Sequence, residues 1–173
     1  AAADEYEQDD LAAESVVSAE QLEGELRQLL ATVQDPQLGE LLDRFFGRDS
    51  AVYARFREAP AAKVYHQAYR HGLLEHTLSV AQAVSAAANF FPGVDREVAV
   101  AGALLHDIGK TVAYNDDPLA IDLTDAGRLQ GEIPLGYYTV RREIEEIPGF
   151  DPALAQAVLH IILSHHGSLE HGS

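Results

Sequence analysis

Apolar side chains recur every three to four residues along most of this chain, the spacing of helices that bury one face. In residues 16–33 the positions Val16, Leu22, Leu26, Leu29, Leu30 and Val33 fall on such a stripe. Ser18, with Gln21 three residues on, has the layout of a capping box, so a helix is expected to begin at Ser18. Asp35-Pro36 interrupts it, and a second helix is expected to run to Phe46, before Gly47. Asp49 or Ser50 can cap a third that carries Val52, Tyr53 and Phe56, and Ala59-Pro60 opens a short segment holding Lys63 and His66.

Beyond Gly72 the pattern predicts a long helix from about Leu73 to Phe90, stopped by Pro92-Gly93. Asp95 can cap the next, which runs through the apolar block Val98 to Leu105 into His106. Residues 112–125 lack periodicity and hold an Asn-Asp-Asp-Pro turn at 115–118, so a loop is expected there. A helix from about Gly131 to Ile147 ends at Pro148-Gly149. The last opens at Asp151-Pro152, where a proline in the first turn loses no hydrogen bond, and reaches His165-His166 before Gly167. No internal repeat and no run of alternating strand pattern appears. The expected fold class is all-α: one compact helical domain over residues 16–173, behind an acidic leader (residues 1–15) with little to bury and expected to be disordered.

Composition narrows the chemistry. With 173 residues there is room for one domain and a sizeable core. With no cysteine there is neither a disulfide framework nor a thiolate site, so any metal must be held by histidine and carboxylate. The longest apolar stretches, about ten residues, fall short of the roughly 20 that a membrane helix needs, and no basic-then-apolar leader is present. A cytoplasmic protein with no membrane partner is expected. The chain begins without methionine and contains none, which reads as a processed or excised fragment.

The net charge of -16 is uneven: the first 25 residues carry nine acids and no base. Such a surface does not draw nucleic acid over long range. Arg44, Arg48, Arg55, Arg57, Lys63 and Arg70 nevertheless form a local basic surplus, read first as a solvated helix face and second as a place to receive phosphate.

The informative feature is a set of metal-ligand residues on three separate predicted helices. His76 lies in Leu-Leu-Glu-His-Thr, His106 and Asp107 in Leu-Leu-His-Asp-Ile-Gly-Lys, and His165 and His166 follow Ile-Ile-Leu-Ser. Each group adjoins apolar residues, so its side chains are expected at the edge of the core, where unpartnered imidazole and carboxylate are costly. A divalent ion held between helices resolves that, and this donor set suits Mn, Fe, Co, Ni or Zn. His106 and Asp107 can share one site where a helix end or bend lets them converge. Lys110, four residues beyond His106, could neutralise a phosphate or transition-state charge. A lone histidine is more often an ordinary hydrogen-bonded residue, and that reading is kept for His71, His160 and His171. Asp116 and Asp117 read as turn residues, and Tyr137-Tyr138 as packing.

In this order the clusters resemble the HD superfamily of metal-dependent phosphohydrolases, and more closely the HD domain of bacterial 3'→5' exoribonucleases that carry an OB-fold ahead of it. Residues 59–77 (APAAKVYHQAYRHGLLEHT), 104–110 (LLHDIGK), 123–133 (LTDAGRLQGEI) and 162–173 (ILSHHGSLEHGS) carry the likeness, over about residues 40–173. The resemblance implies an HD-type helical bundle in which His76, His106 and Asp107 are metal ligands, Asp107 bridging where two ions bind. It implies that His165 and His166 serve a second ion or the substrate phosphate, and that Lys110, Lys63 and His66 face the phosphate, with Asp107 and Lys110 in the catalytic centre. One or two ions, Mn²⁺ first, are expected as cofactor.

Three departures stand out. Gly131-Glu132 replaces the family's Gly-His, leaving a carboxylate as the candidate ligand. The chain ends at Ser173 before the later aspartate of such domains, so C-terminal truncation is expected, and the OB-fold is absent. The function this implies is hydrolysis of phosphodiesters in single-stranded RNA or oligonucleotides. The alternatives are a phosphohydrolase of small nucleotides, which the acidic charge suits better, and a non-catalytic nucleotide-binding or regulatory HD module, which Glu132 favours. A di-iron oxygenase on the same fold is disfavoured by Lys110 and its surrounding motif.

Overall fold

Aspartate, serine and proline decide where these helices begin. The computed structural model describes residues 17–61, 69–115, 117 and 121–167. Ser18 Oγ accepts the Gln21 N–H at 3.2 Å and opens α1 (Ala19–Leu30). The reciprocal half of the expected capping box is not made, because Gln21 Nε2 donates to Glu25 instead. Asp35 Oδ1 accepts from Gln37 and Leu38 to start α2 (Pro36–Phe46), and Ser50 rather than Asp49 caps α3 (Ala51–Glu58). Asp95 and Asp151 do the same for α5 (Arg96–Leu105) and α9 (Pro152–Ser164). Each cap satisfies amide donors that the first helical turn leaves without a partner.

Between these lie α4 (Gly72–Ala88), α6 (Lys110–Ala113), α7 (Asp125–Gln130) and α8 (Glu132–Glu145). Three of these elements depart from the periodicity. The long helix α4 stops at Ala88, and Phe90 and Phe91 stand exposed on the turn that follows. The expected loop over 112–125 begins inside α6 and carries an isolated antiparallel bridge between Tyr114 and Leu123. Helix α7 is unanticipated: its six residues are too few to show an apolar stripe, and it starts because Thr124 Oγ1 accepts the Gly127 N–H.

Helix α5 is flanked by α4 and α9, also meets α2, and buries every residue from Val100 to Leu105. Leu26, Leu41, Phe45, Phe46, Phe56, Leu73, Leu74, Val158 and Ile162 complete a core in which these side chains are fully enclosed. Each such side chain contributes about 1.5–3 kcal/mol relative to exposure. At Gly102 a Cβ would lie 2.4 Å from Ile161 Cδ1, so the missing side chain lets α9 approach α5. That approach carries the His165-His166 pair over the C-terminal end of α5.

Three arginines of the basic surplus form ion pairs. Arg44 meets Glu40 and Glu143, Arg57 meets Glu23 and Glu58, and Arg70 meets Glu58. Lys63, His66, His171 and Asp116 lie outside the described residues. Among the described residues no helix is long and apolar enough to cross a membrane.

Candidate metal centre

His76 sits on the second turn of α4. Helix α5 ends at Leu105, so His106 and Asp107 occupy a tight turn before α6. A regular helix would send consecutive side chains about 100° apart. Here the amides of Ile108, Lys110 and Thr111 bond the carbonyls of Leu105, Asp107 and Ile108, three residues back. This tightened turn brings both side chains onto one centre, as the bend anticipated between them requires. His165 and His166 follow α9 directly, and Gly167, at φ +69°, ends the segment.

The turn is buried: Asp107 is 3% exposed and His106 is 8%. Asp107 Oδ2 lies 3.2 Å from His106 Nε2, 3.3 Å from His76 Nε2 and 2.8 Å from Lys110 Nζ. The two Nε2 atoms are 3.4 Å apart. His76, His106 and Asp107 each offer a ligand atom, all within 4.8 Å of one another. His165 closes the other side, with Nε2 3.5 Å from Asp107 Oδ1.

Hydrogen bonds at the far ring nitrogens set the tautomers. His106 Nδ1 donates to the Ala103 carbonyl at 2.7 Å and His165 Nδ1 to the Ile162 carbonyl at 2.8 Å. In the neutral rings this leaves each Nε2 with a free lone pair, 3.2 Å (His106) and 3.5 Å (His165) from an Asp107 oxygen. Two acceptors face each other comfortably only with a proton or a cation between them. Asp107 Oδ1 and His165 Nε2 are moreover buried without a hydrogen-bond partner. Such orphaned atoms, a carboxylate and oriented imidazoles fit a divalent ion. Burial pushes the Asp107 carboxyl up, but His106, His165 and His76 outweigh it and hold it well below the usual carboxylate range. Burial draws the His165 imidazole down; the Asp107 carboxylate and the Ile162 carbonyl reverse that and leave it raised.

Glu132 stands apart from the three-residue group. Its carboxylate, at the first residue of α8, is 3.9 Å from His166 Nε2. The Lys110 ammonium rests on Asp107 Oδ2 at 2.8 Å. Tyr114 is a neighbour that sequence reasoning missed. Its half-buried phenol is pushed up by burial and by the charges of Glu132 and Asp107. It lies in the segment read as a loop, and no motif marked it. His71 is an ordinary bonded histidine, its Nδ1 2.6 Å from the Arg57 carbonyl, and His160 is exposed.

The cluster opens into a cleft of about 560 Å³ between α4, α5 and α9. Its walls away from the polar group are Val80, Val84, Ala99, Ala103 and Ile161. A cavity of about 410 Å³ beside α3, lined by Arg55, Glu58 and Arg70 among others, shares no residue with it.

The family model described as HD domain matches residues 73–172. The protein named 3'-5' exoribonuclease YhaM from Geobacillus sp. (strain WCH70) is 32% identical over 119 residues, 69% of this chain and 36% of the relative. Its namesake from Bacillus subtilis (strain 168) is 35% identical over 120 residues, 69% of this chain and 38% of that protein. The chain thus spans little more than a third of the length of these curated relatives. No solved structure matches it.

Proposed function

This chain belongs to the HD domain family, and from that premise we propose that it is the catalytic domain of a metal-dependent phosphohydrolase cleaving phosphodiester bonds, with single-stranded RNA or oligonucleotides as substrate. The observation that carries the reading is the buried Asp107 carboxylate with the Nε2 atoms of His76 and His106 within 3.3 Å of one oxygen.

His76, His106 and Asp107 would hold the ion, and Mn²⁺ suits this mixed imidazole and carboxylate set. A divalent cation bound there supplies a Lewis acid and lowers the pKa of a coordinated water. The protein's own contribution is orientation. The Ala103 carbonyl holds the His106 ring, the tight turn holds Asp107, and burial among α4, α5 and α9 keeps bulk water from screening the charges. His165 Nε2, facing the second Asp107 oxygen, would bind either a second ion or a phosphoryl oxygen. His166 and Glu132 would extend the site on that side, and Lys110 would meet the substrate phosphate. Lys63 and His66 are proposed as further phosphate contacts on the family likeness alone. RNA as substrate is supported by the relatives' shared exoribonuclease name.

The net charge of -16 favours a second reading, hydrolysis of small nucleotides, since an acidic domain does not concentrate RNA around itself. One experiment addresses both. Metal content is measured, and hydrolysis of a generic phosphodiester, a short single-stranded RNA and mononucleotides is followed with added Mn²⁺, against a His106→Ala/Asp107→Ala variant. Turnover of the diester and RNA that vanishes in the variant is expected. Turnover of mononucleotides alone would move the assignment to the second reading, and no metal and no turnover would end both.

A further inference from the structure

Resting on the metal-site reading above, we propose that Lys110 is a built-in competitor for the metal: its ammonium and the divalent ion contend for the same Asp107 carboxylate, so Lys110 sets how tightly the site holds its ion. The shared atom is explicit. Lys110 Nζ lies 2.8 Å from Asp107 Oδ2, the oxygen that His76 Nε2 and His106 Nε2 approach at 3.3 and 3.2 Å. A cation gathered by these two imidazoles and this carboxylate therefore arrives where a positive charge already rests.

Two further observations make the competition strong. The Lys110 side chain is 13% exposed and Asp107 is 3% exposed, so water screens their interaction weakly. Lys110 is also tethered: its amide donates to the Asp107 carbonyl at 3.0 Å, and it opens α6 three residues after Asp107. Its backbone cannot retreat from the site without breaking the turn that aims His106 and Asp107. Relief comes only through rotation of its four-carbon side chain, which points the ammonium elsewhere. Such rotation would release Lys110 for an anionic group once the ion has taken its place on Asp107. Loading of the ion and readiness for phosphate become a single exchange.

A lysine that merely steadied Asp107, or served substrate alone, would leave ion affinity unchanged or would weaken it when removed. The competitor has the opposite sign. Mn²⁺ binding to the 173-residue chain, to Lys110→Met and to Lys110→Arg is measured by isothermal calorimetry and by loss of the free-ion electron paramagnetic signal, with circular dichroism as the folding control. Lys110→Met, which keeps the stem and removes the charge, is expected to bind Mn²⁺ about tenfold tighter or more. Lys110→Arg, which keeps the charge, is expected to stay close to the parent. Should Lys110→Met not fold, Lys110→Gln gives the same comparison. Equal or weaker binding by the neutral variants overturns the inference while leaving the metal site standing. Failure of the parent and every variant to bind Mn²⁺ removes the metal site and this inference together.

Discussion

A Cβ on Gly109 would lie 2.5 Å from the backbone nitrogen of Gly136, and 2.0 Å from the Glu132 carbonyl oxygen. The turn that carries His106 and Asp107 is thus pressed directly against the backbone of α8, with no side chain between them. The glycine of the Leu-Leu-His-Asp-Ile-Gly-Lys stretch is required for this close approach. Its backbone, at φ -62°, is one any residue can adopt.

Gly109→Ala is therefore expected to push the turn off α8. The clash is with backbone atoms that cannot rotate away, so a loss of about 1–3 kcal/mol, or somewhat more, follows from overpacking. Urea denaturation measures it. The same variant is expected to bind Mn²⁺ more weakly, because displacing the turn moves Asp107 relative to His76. Unchanged stability would mean that α8 yields freely, contrary to the packing described.

Asp107→Asn keeps the shape of the side chain and removes its charge. Three imidazoles and an ammonium then surround a neutral amide. Mn²⁺ binding is expected to fall by a factor of about 100 or more, since the variant removes a ligand itself and loss of supporting groups alone costs about 10–100-fold. A calorimetric titration that matches the parent would remove Asp107 from the ligand set.

Added Mn²⁺ is expected to stabilise the fold, because the ligands converge only when α4 and the α5–α6 turn are in place. At a free concentration about 100 times the dissociation constant the gain is about 2.7 kcal/mol. Differential scanning calorimetry should show a rise in Tm that a chelator reverses. His76→Ala should abolish most of that rise while folding on its own.

Glu58 gives a pH signature away from the metal centre. Its carboxylate accepts from Arg57 Nη1 at 2.5 Å and Arg70 Nε at 2.6 Å. Burial pushes its carboxyl up, but the two guanidinium groups, with His71 adding charge, hold it below the ordinary value. A folded value below the unfolded one means the contribution is complete above the unfolded value, about 4.3, and is lost as pH falls through the folded value. The side chain is 40% exposed, so the contribution is discounted to about 0.5–1 kcal/mol. Glu58→Gln is therefore expected to be less stable than the parent at pH 7 and indistinguishable from it in strong acid. A gap that persists at low pH would assign the effect to packing.

Much of the helical layout was legible because its signals are local. Ser18, Asp35-Pro36, Ser50, Asp95 and Asp151-Pro152 start their helices through bonds that span two or three residues. The end of α2 at Phe46, before Gly47, was legible in the same way. Helix α7 was illegible for the converse reason: six residues carry no period, and its cap lies in a segment dominated by turn residues.

The candidate site divides along the same line. Residue type and chain order were enough to single out His76, His106, Asp107, His165 and His166, since ligand chemistry belongs to the side chains themselves. Their distances, the tautomers imposed by the Ala103 and Ile162 carbonyls, the separation of Glu132 from the three-residue group, and the ammonium of Lys110 on Asp107 Oδ2 were not written locally. They follow from how α4, α5, α8 and α9 pack, down to the glycine contacts at 102, 109 and 136. Those contacts join residues far apart in the chain, and their strength depends on fractions of an ångström that no sequence period encodes.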